Sequence, residues 1–403
     1  MIRYSEISKY HCGFYSWKDK IYTDRLDLVN DMSENYSDDP VVFTFNSHVF
    51  DKIDWTVEPD ISLKELYKIR AQQLREKYDY LILSYSGGSD SHEILLTFLE
   101  NNIFIDEIQT VHFYNLTKNV DRAEMLNDKN LKPLLEFERA ALPVLQAVKK
   151  KSPNTKISLL DASQFAIENC VQQKKYSFMG AHEKRNNSTH LIQHTPFVRT
   201  FFQHHYNNQT FKPRNAAFIR GIDKPNLKIF DNKMFFSFTD VTLHGHKLIE
   251  KNEIGNIYTI ENFYWSPDVP LIPIKQSHVL KKAIEGDKSF YELFLENQEI
   301  SINHALHNLK GLSRDQVFQR QYNRFIYHYW NDDIFFGEKD IEISGELILI
   351  EKLFGDSTHR QILSEHNKYI YKRYAKVRDR TILSRKLVGM KYKIGEINAH
   401  WND

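Results

Sequence analysis

Apolar positions settle into a regular rhythm from residue 62 onward. Leu63, Leu66, Ile69 and Leu74 share one face at a 3.6-residue period, and Ser62 with Glu65 has capping-box spacing, so the pattern predicts a helix over 63–77. Tyr80-Leu81-Ile82-Leu83 is then a short unbroken apolar run, as expected of a strand buried on both faces of a parallel sheet. Ile94, Leu95, Phe98 and Leu99 resume helical spacing, and Asn101-Asn102 closes that helix. Residues 108–113 read as a second strand, 131–150 as a helix, 157–160 as a third strand and 216–220 as a fourth. The stretch from Leu227 to Phe238 reads as a hairpin turning at Asp231-Asn232. Beyond about residue 278 the spacing is mostly helical, as over 317–330.

Strands that alternate with helices imply a parallel, right-handed arrangement. The expected fold class is therefore α/β: a parallel twisted sheet with helices on both faces, an N-terminal appendage and a mostly helical C-terminal region. No repeat or Pro/Gly linker marks the borders, so changes of pattern set them. Residues 1–60, with strand-like Val41 to Phe45, form the appendage; 61–275 form the sheet domain; 276–403 form the helical, basic region.

Hydrophobic residues make up 41% and charged residues 27%, which suits a folded chain with a sizeable core. No run of eighteen apolar residues exists, and Met1 to Ser5 lacks a signal-peptide pattern, so the expected location is cytoplasmic, with no membrane partner. Cys12 and Cys170 are isolated, which argues against a disulfide framework or a thiolate zinc site. A net charge of +1 confines any polyanion surface to a local patch.

The chemistry concentrates in Ser86-Gly87-Gly88-Ser89-Asp90-Ser91, between the first strand of the sheet and the following helix. Two glycines let backbone approach an anion, and the leading amides of a helix point at that anion along the helix dipole. Ser86, Ser89 and Ser91 add hydroxyl donors, and Asp90 can hold a magnesium ion that bridges phosphate oxygens. Neither Gly-x-x-x-x-Gly-Lys-[Ser/Thr] nor Gly-x-Gly-x-x-Gly occurs, which excludes the kinase-type phosphate loop and the dinucleotide fingerprint. An ordinary strand-to-helix turn, with glycines that serve packing alone, is the plainer alternative.

This loop resembles the Ser-Gly-Gly-x-Asp-Ser signature of the PP-loop ATP pyrophosphatases, and every fixed position of it is present. That superfamily includes asparagine synthetase, GMP and NAD synthetases, tRNA-lysidine synthetase, tRNA thiolation enzymes and phosphoadenosine-phosphosulfate reductase, on an adenine-nucleotide α-hydrolase-like sheet. The resemblance is tight over the loop, loose over 78–225, and absent from the first sixty and the last hundred or more residues. It implies ATP and Mg2+ as cofactors, Ser86 to Ser91 as the phosphate grip, and adenylation of a substrate oxygen for attack by an amine. Several branches fit poorly. Position 2 is Ile, so the exposed glutaminase thiol of asparagine synthetase is missing; the cysteine pairs of thiolating members and the C-terminal cysteine motif of the reductases are also missing.

Arg220, Asp223 and Lys224 follow the fourth strand, where basic groups could neutralise charge developing on pyrophosphate, with a surface turn as the alternative. Phe263-Tyr264-Trp265, followed by Lys275 to His278, suits a substrate pocket or a packed core. His112 and Tyr114 end the second strand, with Asn115 as an adenine contact by the same resemblance. The histidines at 182, 190, 194, 204 and 205 show no metal-ligand spacing. From Lys368 to Lys393, ten basic residues and four tyrosines stand against the single acid Asp379, which suits tRNA or DNA, or else a solvated amphipathic helix. The substrate is thus expected to be a small molecule or tRNA. The rival functions are a tRNA- or nucleobase-modifying enzyme and a non-catalytic nucleotide- or nucleic-acid-binding protein.

Overall fold

Aromatic residues near the N-terminus build the first sheet, in which β1 (Phe14–Trp17), β2 (Lys20–Tyr22) and β3 (Val42–Thr44) pair antiparallel in the order β2-β1-β3, with helix α1 (Arg25–Glu34) beside them. The computed structural model describes residues 12–168 except 36, 38, 129 and 130; 215–245 except 223; and 258–303, 322–329, 349, 352–353, 355 and 387–398. Helix α2 (Leu63–Lys77) begins where the capping signal places it, with Ser62 Oγ accepting from Glu65 N at 3.2 Å.

The central sheet is all parallel. Its strands are β4 (Tyr80–Ser84), β5 (Glu107–His112), β6 (Lys156–Asp161), β7 (Ala216–Arg220) and, later in the chain, Tyr258–Asn262. Helix α3 (Ser89–Glu100) leads from β4 to β5, and α4 (Leu142–Lys151) precedes β6. The predicted helix over 131–150 is broken into a 3-10 turn at Lys132–Leu135, a π turn at Phe137–Ala141 and α4. Pro143 explains part of this, because proline is tolerated only in the first turn of an α-helix, and α4 starts with it there.

The hairpin forms as expected: β8 (Leu227–Phe230) and β9 (Lys233–Thr239) are joined by Asp231 and Asn232, both at positive φ (48° and 58°), the geometry that matches strand twist. The last central strand is β10 (Tyr258–Asn262), followed by helices α5 (Leu271–Gly286) and α6 (Lys288–Asn303). Strand β11 (Val388–Glu396) closes the hairpin sheet in the order β11-β9-β8. Lys391 and Lys393, from the basic segment, lie on this strand rather than on a helix; they are exposed while Tyr392 and Ile394 between and after them are buried.

Residues from both ends of the chain share one continuous core with the middle. Trp55 stacks on Tyr392 at 4.4 Å and on Phe236 at 4.8 Å, and Phe45 packs on Phe238 at 4.7 Å. Fully buried Asp240 ties the same three regions by polar contacts: it accepts from Tyr15 Oη at 2.6 Å and from Leu387 N at 3.0 Å, and it pairs with the Arg25 guanidinium. Among the described residues no helix is long and apolar enough to cross a membrane.

Candidate functional site

The order of the central sheet, β10-β7-β4-β5-β6, singles out one position. The chain lays β5 and β6 outward from one side of β4, then returns to lay β7 and β10 outward from the other. The winding reverses between β4 and β7, and in open parallel sheets ligands bind in the crevice beyond the carboxyl ends at such a reversal. Both loops singled out in the sequence, the one after β4 and the one after β7, open there.

The β4 loop turns sharply at its two glycines and leads straight into a helix. Gly87 has φ of +92°, and a Cβ on it would stand 2.9 Å from the backbone nitrogen of Ala141 in the π turn. Gly88 is the N-cap of α3 with no side chain capping the helix, so the leading amides, which have no partners within the helix, are left for another acceptor. Hydroxyls brace the turn from inside: Ser91 Oγ accepts from Ser86 N and donates to Gly88 O, both at 3.2 Å, and Ser86 Oγ accepts from Gly88 N at 3.2 Å. Ser86 and Ser91 therefore hold the loop's shape in this state, a role that the spacing alone does not reveal.

Lys224 reaches across from the β7 loop, its Nζ 2.7 Å from Asp90 Oδ1. Gly221 makes the approach close: a Cβ there would fall 3.0 Å from Asp90 Cβ. Arg220 ends β7 half-buried, its carbonyl accepting from Phe263 N at 2.9 Å. Asp223 lies outside the described residues.

A third contributor, absent from the sequence-derived site, is the segment 322–329. Tyr327 Oη donates to Asp90 Oδ1 at 2.5 Å, Asn323 Nδ2 donates to Ser89 Oγ at 3.2 Å, and Tyr322 Oη donates to the carbonyl of Pro225 at 2.8 Å. His328 Nδ1 is 3.0 Å from Oε1 of buried Glu93 on α3, whose Oε2 accepts from Tyr329 N at 2.8 Å. Tyr264, just past β10, donates to the carbonyl of Asp90 at 2.7 Å. Burial pushes the phenols of Tyr327 and Tyr264 far above their ordinary pKa, with the carboxylates nearby adding to the effect, so both remain donors. Helical spacing over 317–330 is the only sequence signal of this segment; of it the described part is helical over 322–326 and then turns.

The other candidates divide. Phe263, Tyr264 and Trp265 are at most 1% exposed, and Gln276 and Ser277 are fully buried, so this stretch is core rather than the wall of an open pocket. His112 stacks on Phe137 at 3.9 Å, and burial lowers its pKa against the opposing pull of Asp161. Asn115 lies on a short helical turn, its amide donating to Asp161 Oδ2 at 3.1 Å. Cys170, the five histidines and the basic stretch 368–386 lie outside the described residues.

The uncapped start of α3 offers the amide donors a polyphosphate would need, while the space a Cβ would take on Gly87 and Gly88 is filled by Ala141 and by the Glu136 carboxylate, so both glycines also serve close packing. Among the described residues no three His, Cys, Asp or Glu side chains converge as a metal cage. Magnesium is commonly held by one or two carboxylates together with substrate phosphates, so Asp90 alone suffices as the protein's ligand if the phosphates supply the rest. No model of a known protein family matches the chain, and no curated protein matches it.

Proposed function

We propose that the chain is an ATP pyrophosphatase that adenylates a substrate oxygen, releasing pyrophosphate, and thereby prepares that substrate for attack by an amine. The observation that supports this most is the meeting, at the winding reversal of a parallel sheet, of a Ser-Gly-Gly-Ser-Asp-Ser loop with a lysine from the next strand on the far side.

In this reading the amides of Ser89, Asp90 and Ser91 and the dipole of α3 hold the β- and γ-phosphates. Lys224 neutralises charge that accumulates on pyrophosphate as its bond to the α-phosphate lengthens, and Arg220 adds positive potential from the same strand end. Magnesium held by Asp90 would shield the phosphate oxygens from one another and from that carboxylate. The rate gain comes from alignment and charge neutralisation rather than from a protein nucleophile. A second reading, nucleotide binding without turnover, draws support from the engagement of Asp90 by both Lys224 and Tyr327.

Pyrophosphate release from Mg-ATP, measured with amino-acid, metabolite and tRNA pools and compared between wild type and Asp90→Ala, tests the proposal. Release that one pool stimulates and the substitution abolishes is the expected result. ATP binding with no pyrophosphate under any pool would overturn turnover in favour of the binding reading.

A further inference from the structure

We infer that Tyr327 and Asn323 are positioning residues of the phosphate loop, so that the segment 322–329 forms a wall of the nucleotide site and sets its response to magnesium. The inference rests on the reading of Ser86 to Ser91 as a nucleotide-phosphate site.

Two adjacent residues at the start of α3, Ser89 and Asp90, carry the oxygen atoms best placed to meet phosphate or cation, and both are held by this one segment. On Asp90, Lys224 and Tyr327 converge on the same oxygen, Oδ1. With Ser89 Oγ also donating to Oδ1 at 3.5 Å, these donors hold the side-chain torsion and leave Oδ2 as the oxygen for a cation. Lys224 and Tyr327 have different fates. Lys224, 5.9 Å from the centre of the Tyr327 ring, carries the charge that a polyphosphate would attract. The phenol is uncharged and has no such pull on it, so it keeps Oδ1 anchored when the lysine turns to the phosphates.

Asn323 supplies the second, independent observation. It is 1% exposed, its Nδ2 holds Ser89 Oγ, and its Oδ1 is buried without a hydrogen-bond partner. An unsatisfied buried amide oxygen is costly and calls for a hydrogen-bond donor. A hydrogen-bond donor arriving at the start of α3, a hydroxyl or amino group of the bound nucleotide or its acceptor, would satisfy it. The same segment also bridges to the β7 loop through Tyr322 and the carbonyl of Pro225, so both halves of the site are referenced to one element.

The test is binding of a non-hydrolysable ATP analogue by calorimetry, in EDTA and over a magnesium titration, for wild type, Tyr327→Phe, Asn323→Ala and Asn323→Asp. Loss of a partner that orients a metal-ligating carboxylate weakens metal affinity by about 10–100-fold. Tyr327→Phe is thus expected to raise the magnesium concentration at half-saturation by roughly tenfold, a larger factor than any loss of affinity for the analogue in EDTA. Asn323→Ala is expected to weaken the analogue with and without magnesium, and Asn323→Asp, which loses the donor to Ser89 and adds a negative charge beside Asp90, to weaken it further. An unchanged magnesium titration in Tyr327→Phe, or an equal loss in EDTA and in magnesium, would overturn the positioning role with the site reading intact. Absence of magnesium-dependent binding in the wild type would instead overturn the site reading on which the inference stands.

Discussion

Gly87 is the residue on which the loop turns. Any side chain there meets two obstacles: a positive φ that L-residues adopt at a cost of about 1–2 kcal/mol, and the backbone nitrogen of Ala141, which cannot swing aside as a flexible side chain would. Gly87→Ala should therefore lower stability in chemical denaturation by more than that strain alone and abolish nucleotide binding. Gly88 is more forgiving, because its φ is ordinary and its nearest neighbour is the end of the Glu136 side chain at 3.1 Å. Gly88→Ala should retain the fold and weaken only the ligand. Wild-type binding affinity in Gly87→Ala would remove the case for a backbone cradle. At this scale the turn over Ser86 to Ser91 was legible because its glycines and serines are contiguous and lie between an apolar run and a helical stripe. Tyr327 was not, since 237 residues separate it from Asp90 and a lone tyrosine in a helical stretch looks like any core residue.

At the scale of elements, one buried ion pair fixes the helix before β4 to the far edge of the sheet. Arg70 of α2, with no exposed surface, pairs with Glu261 of β10 at 2.6 Å, and Lys77 adds a second cation to the same carboxylate at 3.1 Å. Burial by itself would raise the carboxyl pKa of Glu261, but Arg70 and Lys77 outweigh it and hold the value down at about 2. A depressed carboxyl contributes stability that is present above its ordinary 4.5 and lost as pH falls through about 2. Denaturant midpoints should accordingly decline between those two pH values, and Glu261→Gln should be less stable at neutral pH with a flatter acid limb. An unchanged limb in that variant would assign the acid sensitivity elsewhere. Removing one partner of such a pair leaves a buried charge alone, which costs about 3–5 kcal/mol. The strand that carries Glu261 escaped sequence reading because Tyr-Thr-Ile-Glu-Asn lacks the apolar run of β4. Pairing beside β7, with Arg70 beneath, is what makes a buried glutamate tolerable there.

Across the whole molecule, segments from the N-terminal and C-terminal parts of the chain meet at Asp240. Its carboxylate receives Tyr15 from β1, Arg25 from α1 and the amide of Leu387 ahead of β11, so three distant stretches depend on one buried charge. Asp240→Ala would strand Arg25 in the interior and should lower stability by about 3–5 kcal/mol, with limited proteolysis reporting earlier release of β11 than of the central sheet. Loss of stability without such release would place the effect elsewhere. By itself the sequence determined what depends on near neighbours: the capped helix over 63–77, the apolar strand that runs into the glycine loop, the hairpin turn at Asp231-Asn232, and the strand-to-helix turn over Ser86 to Ser91. Each follows from periodicity or turn chemistry within a few positions. Only the tertiary structure decided the order β10-β7-β4-β5-β6, the approach of Lys224 to Asp90, the contacts of 322–329 with Ser89 and Asp90, and the strand identity of 388–396. Those outcomes depend on which distant surfaces can bury one another and which buried polar atoms can find partners, a condition that no short window of residues contains.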